Sequence, residues 1–396
     1  WSDHALDRNP WNTTPWYLHA LWQAVNHHGY GADYVNGQVL QEARFESGEI
    51  RSGPMRYQAL ILAEVATLPA ETAEALGRYA AAGGRILFVG ETPTRSAGLV
   101  HREENDTRVR AALDPLTAAH PGAVQRVPAP EEDTLVSQVG EWMRSLGVDP
   151  AVRLEPVDDR LFFVQGRKEE RDVYFFANVA RDRGLDFTAG FAAPGRTAWR
   201  WDPETGERHV FGTTPSLPVS LGPLESLLLV LEPATDEVAA DRSGPPDGPS
   251  REIDGSWTVR LEGMDGKVEE RQLETLSDLS RLPGLEAFSG AAVYTTTFET
   301  PEGGPFVLDL GEVRETSEVT LNGEPLGVRW YGRHRHDLAG RLEPGGNELE
   351  VTVTTLAFNH YRARKDDPMV QHWMSRSRQD GPLRSGLLGP VRLRRR

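Results

Sequence analysis

Between Pro305 and Asn359 the chain alternates apolar and polar residues at a period of two, broken by turn-forming pairs. Phe306, Leu308 and Leu310 alternate with Val307, Asp309 and Gly311, and Val319 and Leu321 run into Asn322-Gly323. That pair tolerates positive φ and so favours a tight hairpin turn. A second turn is expected at Pro344-Gly345-Gly346-Asn347, after which Leu349, Val351 and Val353 fall on one face of a further strand. Strands with this period and punctuation predict an antiparallel β-sandwich.

A chain of 396 residues has room for two or three domains. The texture ahead of the sandwich differs. Tyr57 to Val65 reads as a buried strand, Pro69 to Ala82 as an amphipathic helix closed by Gly83-Gly84, and Arg85 to Gly90 as the next buried strand. Near-continuous apolar strands joined through a helix predict a parallel sheet covered on both faces. An earlier helix is expected from Thr13 to His28, capped by Thr13 or Thr14 with Pro15 in its first turn. Further helices are expected around Thr107 to Ala119 and from Glu131 to Leu146. Residues 1–150 therefore read as an open parallel α/β domain of flavodoxin or amidotransferase type. Residues 151–234 read as a small all-β domain, with strands at Leu161–Val164, Val173–Ala177, Thr197–Trp201 and Ser226–Leu231 and a turn at Asp202–Gly206. Residues 235–250 are acidic, rich in Pro and Gly, and read as a linker; the sandwich occupies 251–396. The fold class is multidomain, α/β plus all-β.

A net charge of −16 argues against a nucleic-acid or anionic-membrane partner. The dense basic run, Arg392, Arg394, Arg395 and Arg396, reads as a solvated tail. The sequence has no cysteine, which excludes disulfides, thiolate metal sites and a cysteine nucleophile. An amidotransferase-like reaction at Glu91, after the Arg85–Val89 strand, would need that nucleophile. No apolar run approaches a membrane span and no signal-peptide pattern is seen. The chain opens at Trp1 rather than methionine, as expected of a processed product or a piece of a longer protein. No phosphate loop is present; Gly83-Gly84 and Gly29 are expected as helix C-caps.

Trp330 and Tyr331, beside Arg333 and His334, have the character of a sugar platform, in which CH groups stack on aromatic faces and hydroxyls find hydrogen-bonding neighbours. The competing assignment places Trp330 in the core between the sheets. His334 and His336 share a face if that segment is extended, but no third ligand stands at a spacing diagnostic of metal. His27-His28 ends a helix, where a cation suits the dipole, and the pair reads as structural. Asp309 with Glu312, and Glu42 with Glu46, are the visible acidic clusters and read as solvated charges.

Several segments together resemble glycoside hydrolase family 106, the α-L-rhamnosidases. Tyr30-Gly-Ala-Asp33-Tyr34-Val-Asn36, Ser52-Gly53-Pro-Met-Arg-Tyr57, YQALILAEV and YAAAGGRILFVG resemble the region that follows its catalytic barrel. Phe175-Phe176-Ala177-Asn178 with Trp201-Asp202-Pro203-Glu204-Thr205-Gly206 is similar to the β-domain after it. LDLGEVRETSEVTLNGEPLG, Pro344–Asn347 and Ser385-Gly386-Leu387-Leu388-Gly389-Pro390-Val391 resemble its galactose-binding-like sandwich. The strand corresponding to LAFN departs: Phe358-Asn359-His360-Tyr361-Arg362 keeps the asparagine but little else of the family's run. The family carries its acid and base glutamates, and a bound calcium, on an N-terminal (β/α)₈ barrel of about 250 residues, for which this chain has no pattern. The resemblance therefore implies the non-catalytic C-terminal part of a rhamnosidase, acting on rhamnose-containing polysaccharide and partnered by its own barrel. It also implies an extracellular or periplasmic location, with the cytoplasm left open. The candidate substrate-binding residues are Trp330, Tyr331, His334, His336 and Asn359. The alternative is a non-catalytic carbohydrate-binding or scaffold protein.

Overall fold

The computed structural model describes residues 16–129, 131, 133–203, 206–235, 249–300, 305–338, 340–375 and 381–395. The caps expected at Thr13, Thr14 and Pro15, most of the 235–250 linker, Glu204 and Thr205 of one turn, and Arg396 lie outside them. The chain divides into two compact units. The first holds Trp1–Val179, Leu185–Ser220 and Leu227–Ala239; the second holds Ala180–Gly184, Leu221–Ser226 and Ala240–Arg396. The whole is a mixed α/β structure in which antiparallel sheets predominate.

The first unit is built on a parallel sheet with strands Ala59–Ala63, Arg85–Val89 and Val124–Val127 in that spatial order. The middle strand explains its own sequence. Ile86 and Phe88 face the helix Ala70–Ala81 through Leu76 and Tyr79, whereas Leu87 and Val89 face Leu21 and Val25 of helix Trp16–His27 and Val139 and Trp142 of helix Leu135–Ser145. Both faces are covered, so Ile86 to Val89 are all apolar rather than every second residue. Each such side chain contributes about 1.5–3 kcal/mol by leaving water. Helix Ala70–Ala81 stops as its glycines dictate: Gly83 takes φ +82 and donates to Ala80 O, and Gly84 N donates to Tyr79 O, both at 2.9 Å. A side chain on Gly84 would overlap the Tyr79 ring.

Two helical expectations shift. The helix expected from Thr107 to Ala119 is two, Arg102–Leu113 and Leu116–Ala119, parted at Asp114-Pro115, where proline cannot donate to the ladder. The Glu131–Leu146 helix is confined to Leu135–Ser145. A three-stranded antiparallel sheet of Arg44–Glu46, Glu49–Ser52 and Met55–Tyr57 was not foreseen. Its first turn, Ser47-Gly48, has both φ values positive, at 54 and 77, and its strands are too short to show a period.

The β part of this unit has a five-stranded sheet in the order Arg208–Thr213, Thr197–Trp201, Ser226–Glu232, Arg171–Asn178, Leu161–Lys168, and a three-stranded sheet of Ser216–Leu221, Leu185–Gly190 and Arg153–Glu155. Asn26 ties helix Trp16–His27 to it. Its amide Nδ2 donates to Phe163 O at 2.9 Å and its Oδ1 accepts from Phe163 N at 3.1 Å, as a paired strand would. His27 follows suit, with Nδ1 3.0 Å from Leu161 O. Burial lowers the His27 pKa, and the ring packs as the structural group expected at this helix end.

The second unit is an antiparallel sandwich. One sheet runs Val268–Leu273, Trp257–Gly263, Gly290–Glu299, Gly346–Thr354, Thr316–Leu321, Glu324–Arg329. Facing it are Ser250–Glu252, Arg392–Arg395, Phe306–Asp309 and Arg335–Asp337, with a two-stranded ribbon of Glu312–Arg314 and Gly386–Gly389. Leu349, Val351 and Val353 are fully buried against Leu308, Leu387 and Leu393. Asn322 and Gly323 turn with φ values of 51 and 80, as that pair predicts.

Three expectations are corrected here. Arg392, Arg394 and Arg395 belong to a strand paired on both sides, not to a tail. Asp309, expected in solvent, is 8% exposed. Its Oδ2 accepts from Arg335 Nε at 2.9 Å and Arg394 Nε at 2.8 Å, and its Oδ1 from Gly311 N at 3.0 Å. Phe358-Asn359 opens a short helix, Phe358–Ala363, rather than continuing a strand.

Candidate functional site

Strand Glu324–Arg329 leaves the larger sheet and Arg335–Asp337 enters the smaller one, so residues 330–334 form the turn between the two sheets of the sandwich. Gly332 adopts φ +64 within it. The turn lifts Trp330 into solvent at 65% exposure, which corrects the core assignment. Tyr331 is half-buried, and the two rings meet edge to face with centroids 4.8 Å apart at 70°. This arrangement supports an aromatic pair while leaving the indole accessible. Arg333 is anchored by Glu225: its Nε lies 3.1 Å from Oε2, and the same oxygen accepts from Gly222 N at 2.6 Å.

The two histidines turn the other way. His334 is 6% and His336 2% exposed. His334 Nδ1 lies 2.7 Å from Ser317 Oγ. His336 Nδ1 is 3.3 Å from Leu326 O, and since a carbonyl only accepts, that nitrogen carries the proton. The His336 Nε2 is buried with no hydrogen-bond partner among the described residues. Burial, reinforced by the nearby Arg329 charge, lowers both pKa values to about 4. Both rings are therefore neutral near pH 7 and cannot serve a substrate as cations.

Asn359 is 3% exposed, and both ends of its amide are used: Nδ2 donates to Leu383 O at 2.8 Å, and Oδ1 accepts from Leu383 N at 2.7 Å. Of the five candidates, only Trp330 and Tyr331 stand at the surface together. His334 and His336 support the turn from beneath, and Asn359 fixes the chain entering the Gly386–Gly389 strand.

The part of Glu225 in this arrangement was not legible: it comes from over a hundred residues earlier, and nothing about Leu224-Glu225-Ser226 marks it. The turn offers an exposed indole face, while the Arg333 guanidinium is paired with Glu225. The carboxylate at this turn, Glu225, is committed to Arg333 and Gly222, so it offers no free acid–base pair. Among the described residues no three His, Cys, Asp or Glu side chains cluster closely enough to hold a metal ion; the calcium that the resemblance implies belongs to the barrel. No helix among them is long and apolar enough to cross a membrane.

The solved rhamnosidase from Novosphingobium sp. PP1Y is similar in fold over 92% of this chain and 36% of its own, with a TM-score of 0.62 and 24% sequence identity. A protein from Formosa agariphila bearing a provisional beta-glucuronidase name is 28% identical over 177 residues, covering 35% of this chain and 15% of that protein. The solved beta-glucuronidase of Bifidobacterium dentium overlaps 38% of this chain at 19% identity, and its TM-score of 0.28 carries no weight. The chain thus spans well under half the length of the relatives it matches. The sequence pattern of the alpha-L-rhamnosidases matches residues 10–213, more than half of the chain. On that match, the chain belongs to glycoside hydrolase family 106.

Proposed function

We propose that this chain is the accessory, non-barrel part of an enzyme that removes terminal L-rhamnosyl groups from polysaccharide, and that its catalytic barrel lies on residues outside the sequence given. The observation that supports this is the mismatch in coverage: nearly all of the chain overlays a rhamnosidase of which it accounts for 36%. Among the described residues the parallel sheet has three strands, whereas a (β/α)₈ barrel requires eight. In the whole enzyme one carboxylic acid would protonate the leaving oxygen and a carboxylate would activate water. The calcium implied by the resemblance would lie on the barrel, and no step is assigned to residues of this chain. Its contribution is to brace the barrel and to present Trp330 and Tyr331 to the glycan.

Turnover of an aryl α-L-rhamnoside by these 396 residues, beside a version extended upstream, tests the reading. Activity in the longer protein alone is expected. Activity in the short chain would overturn it. Inactivity of both, with retained glycan binding, would favour a carbohydrate-binding protein, a reading for which the exposed Trp330 is the specific support.

A further inference from the structure

Tyr30–Asn36, which carries part of the family resemblance, and the end of the second such segment, Arg56-Tyr57, line one cleft in the first unit. Its volume is about 500 Å³, within the range of small-molecule sites. All five residues of the strand Ala59–Ala63 line it, and among the described residues that strand is paired on one side only in the parallel sheet. Its walls are mainly aliphatic, with polar side chains interspersed among them. Tyr57 donates its hydroxyl to Asp33 Oδ2 at 3.0 Å, which fixes a carboxylate at the cleft. The Gln58 and Gln165 amides also line it, as do the aromatic rings of Trp22 and Tyr34. The Trp22 ring is itself held by an Nε1–H bond to Ala32 O at 2.9 Å. Gly31 keeps the space open: a side chain there would press on the Gln165 amide, with its Cβ 3.2 Å from Nε2.

We propose that this cleft is a sugar-binding site that takes a neutral hexose or deoxyhexose. A sugar ring presents CH groups on its faces and hydroxyls at its rim, and the cleft answers with aliphatic and aromatic walls and with planar carboxylate and amide groups that bridge vicinal hydroxyls. The ionisable lining is Asp33 and Asp149 against Arg56, a net negative set. That set disfavours uronates, sulfated sugars and phosphates, which need clustered cations. The site is separate from the Trp330 turn and lies in the other unit.

The test uses Trp330→Ala protein as the background, so that binding at the turn cannot be mistaken for binding here. Saturation-transfer NMR and isothermal titration with L-rhamnose, D-galactose and D-glucose are expected to show millimolar or tighter binding of at least one sugar. Asp33 is exposed, so Asp33→Asn should melt like its parent while weakening that sugar about tenfold, the scale of one lost charge-assisted hydrogen bond. Tyr57→Phe, which frees the carboxylate to swing, should weaken it in the same direction. No transfer to any of the three sugars would overturn the proposal, and so would unchanged affinity in both variants.

Discussion

Arg394 and Asp309 stand 85 residues apart in sequence and are joined at 2.8 Å on neighbouring strands. Arg335 reaches the same carboxylate oxygen from the strand on the other side, at 2.9 Å. One carboxylate thereby clamps three strands of the smaller sheet. Asp309→Ala should destabilise the second unit by about 2–3 kcal/mol, below the range for fully buried pairs because both arginines retain some solvent. Urea unfolding of the variant measures this. A shift under about 0.5 kcal/mol would mean the arginines find water without cost.

His334 and His336 make the same unit sensitive to acid. Their folded pKa values of about 4 lie below the ordinary 6.5. Between those values the unfolded chain binds the protons and the folded one does not, so stability rises with pH across this window. It is fully present above about pH 6.5 and lost as pH falls toward 4. Each ring is worth about 3 kcal/mol over that range. Unfolding free energy followed from pH 7 to pH 4.5 should fall steeply, and His336→Leu should remove roughly half of the slope. An unchanged slope in that variant would place the acid sensitivity elsewhere.

What could be read from the chain beforehand follows from how far each signal reaches. The Arg85–Val89 strand and the Leu349, Val351, Val353 face were legible because burial is written locally, as a run or as an alternation. Asn322-Gly323 was legible because its backbone angles are a property of the pair itself. Asp309 and the terminal arginines were misread because a charged residue in an alternating strand looks solvated until its partner strand is known. In hindsight Val391 and Leu393, both buried, alternate with Arg392 and Arg394 and carry the signal of a strand. The site was harder still. Trp330, His334 and His336 lie close together in sequence, and the turn at Gly332 decides which of them face outward.

Asn26 offers a direct measure of how the helical and β parts of the first unit cohere. It is 4% exposed, and its amide satisfies both the N–H and the carbonyl of Phe163. Asn26→Ala would leave two buried backbone groups without partners, at about 1–3 kcal/mol each. A thermal melt should show a loss of about 2–4 kcal/mol, somewhat less than the sum because water can enter the gap. Asn26→Leu fills the space and still removes both bonds, so it should be no better. Recovery of stability in Asn26→Leu would show that volume, not hydrogen bonding, is what the position supplies.

Trp330 separates structural from functional roles more sharply than any other residue here. A large aromatic at 65% exposure contributes little to folding, so Trp330→Ala should change stability by no more than about 0.5 kcal/mol. If the indole is a sugar platform, the same substitution removes about 0.5–1.5 kcal/mol of aromatic contact, a weakening of roughly two- to tenfold in glycan affinity. Tyr331→Phe keeps the edge-to-face support and should leave affinity within about twofold if the ring alone is needed. Isothermal titration of rhamnose-containing oligosaccharide, run beside melts on the same samples, reads both quantities at once. Unaltered affinity in a fully stable Trp330→Ala protein would remove the turn from the binding surface and leave its exposed indole without a glycan role.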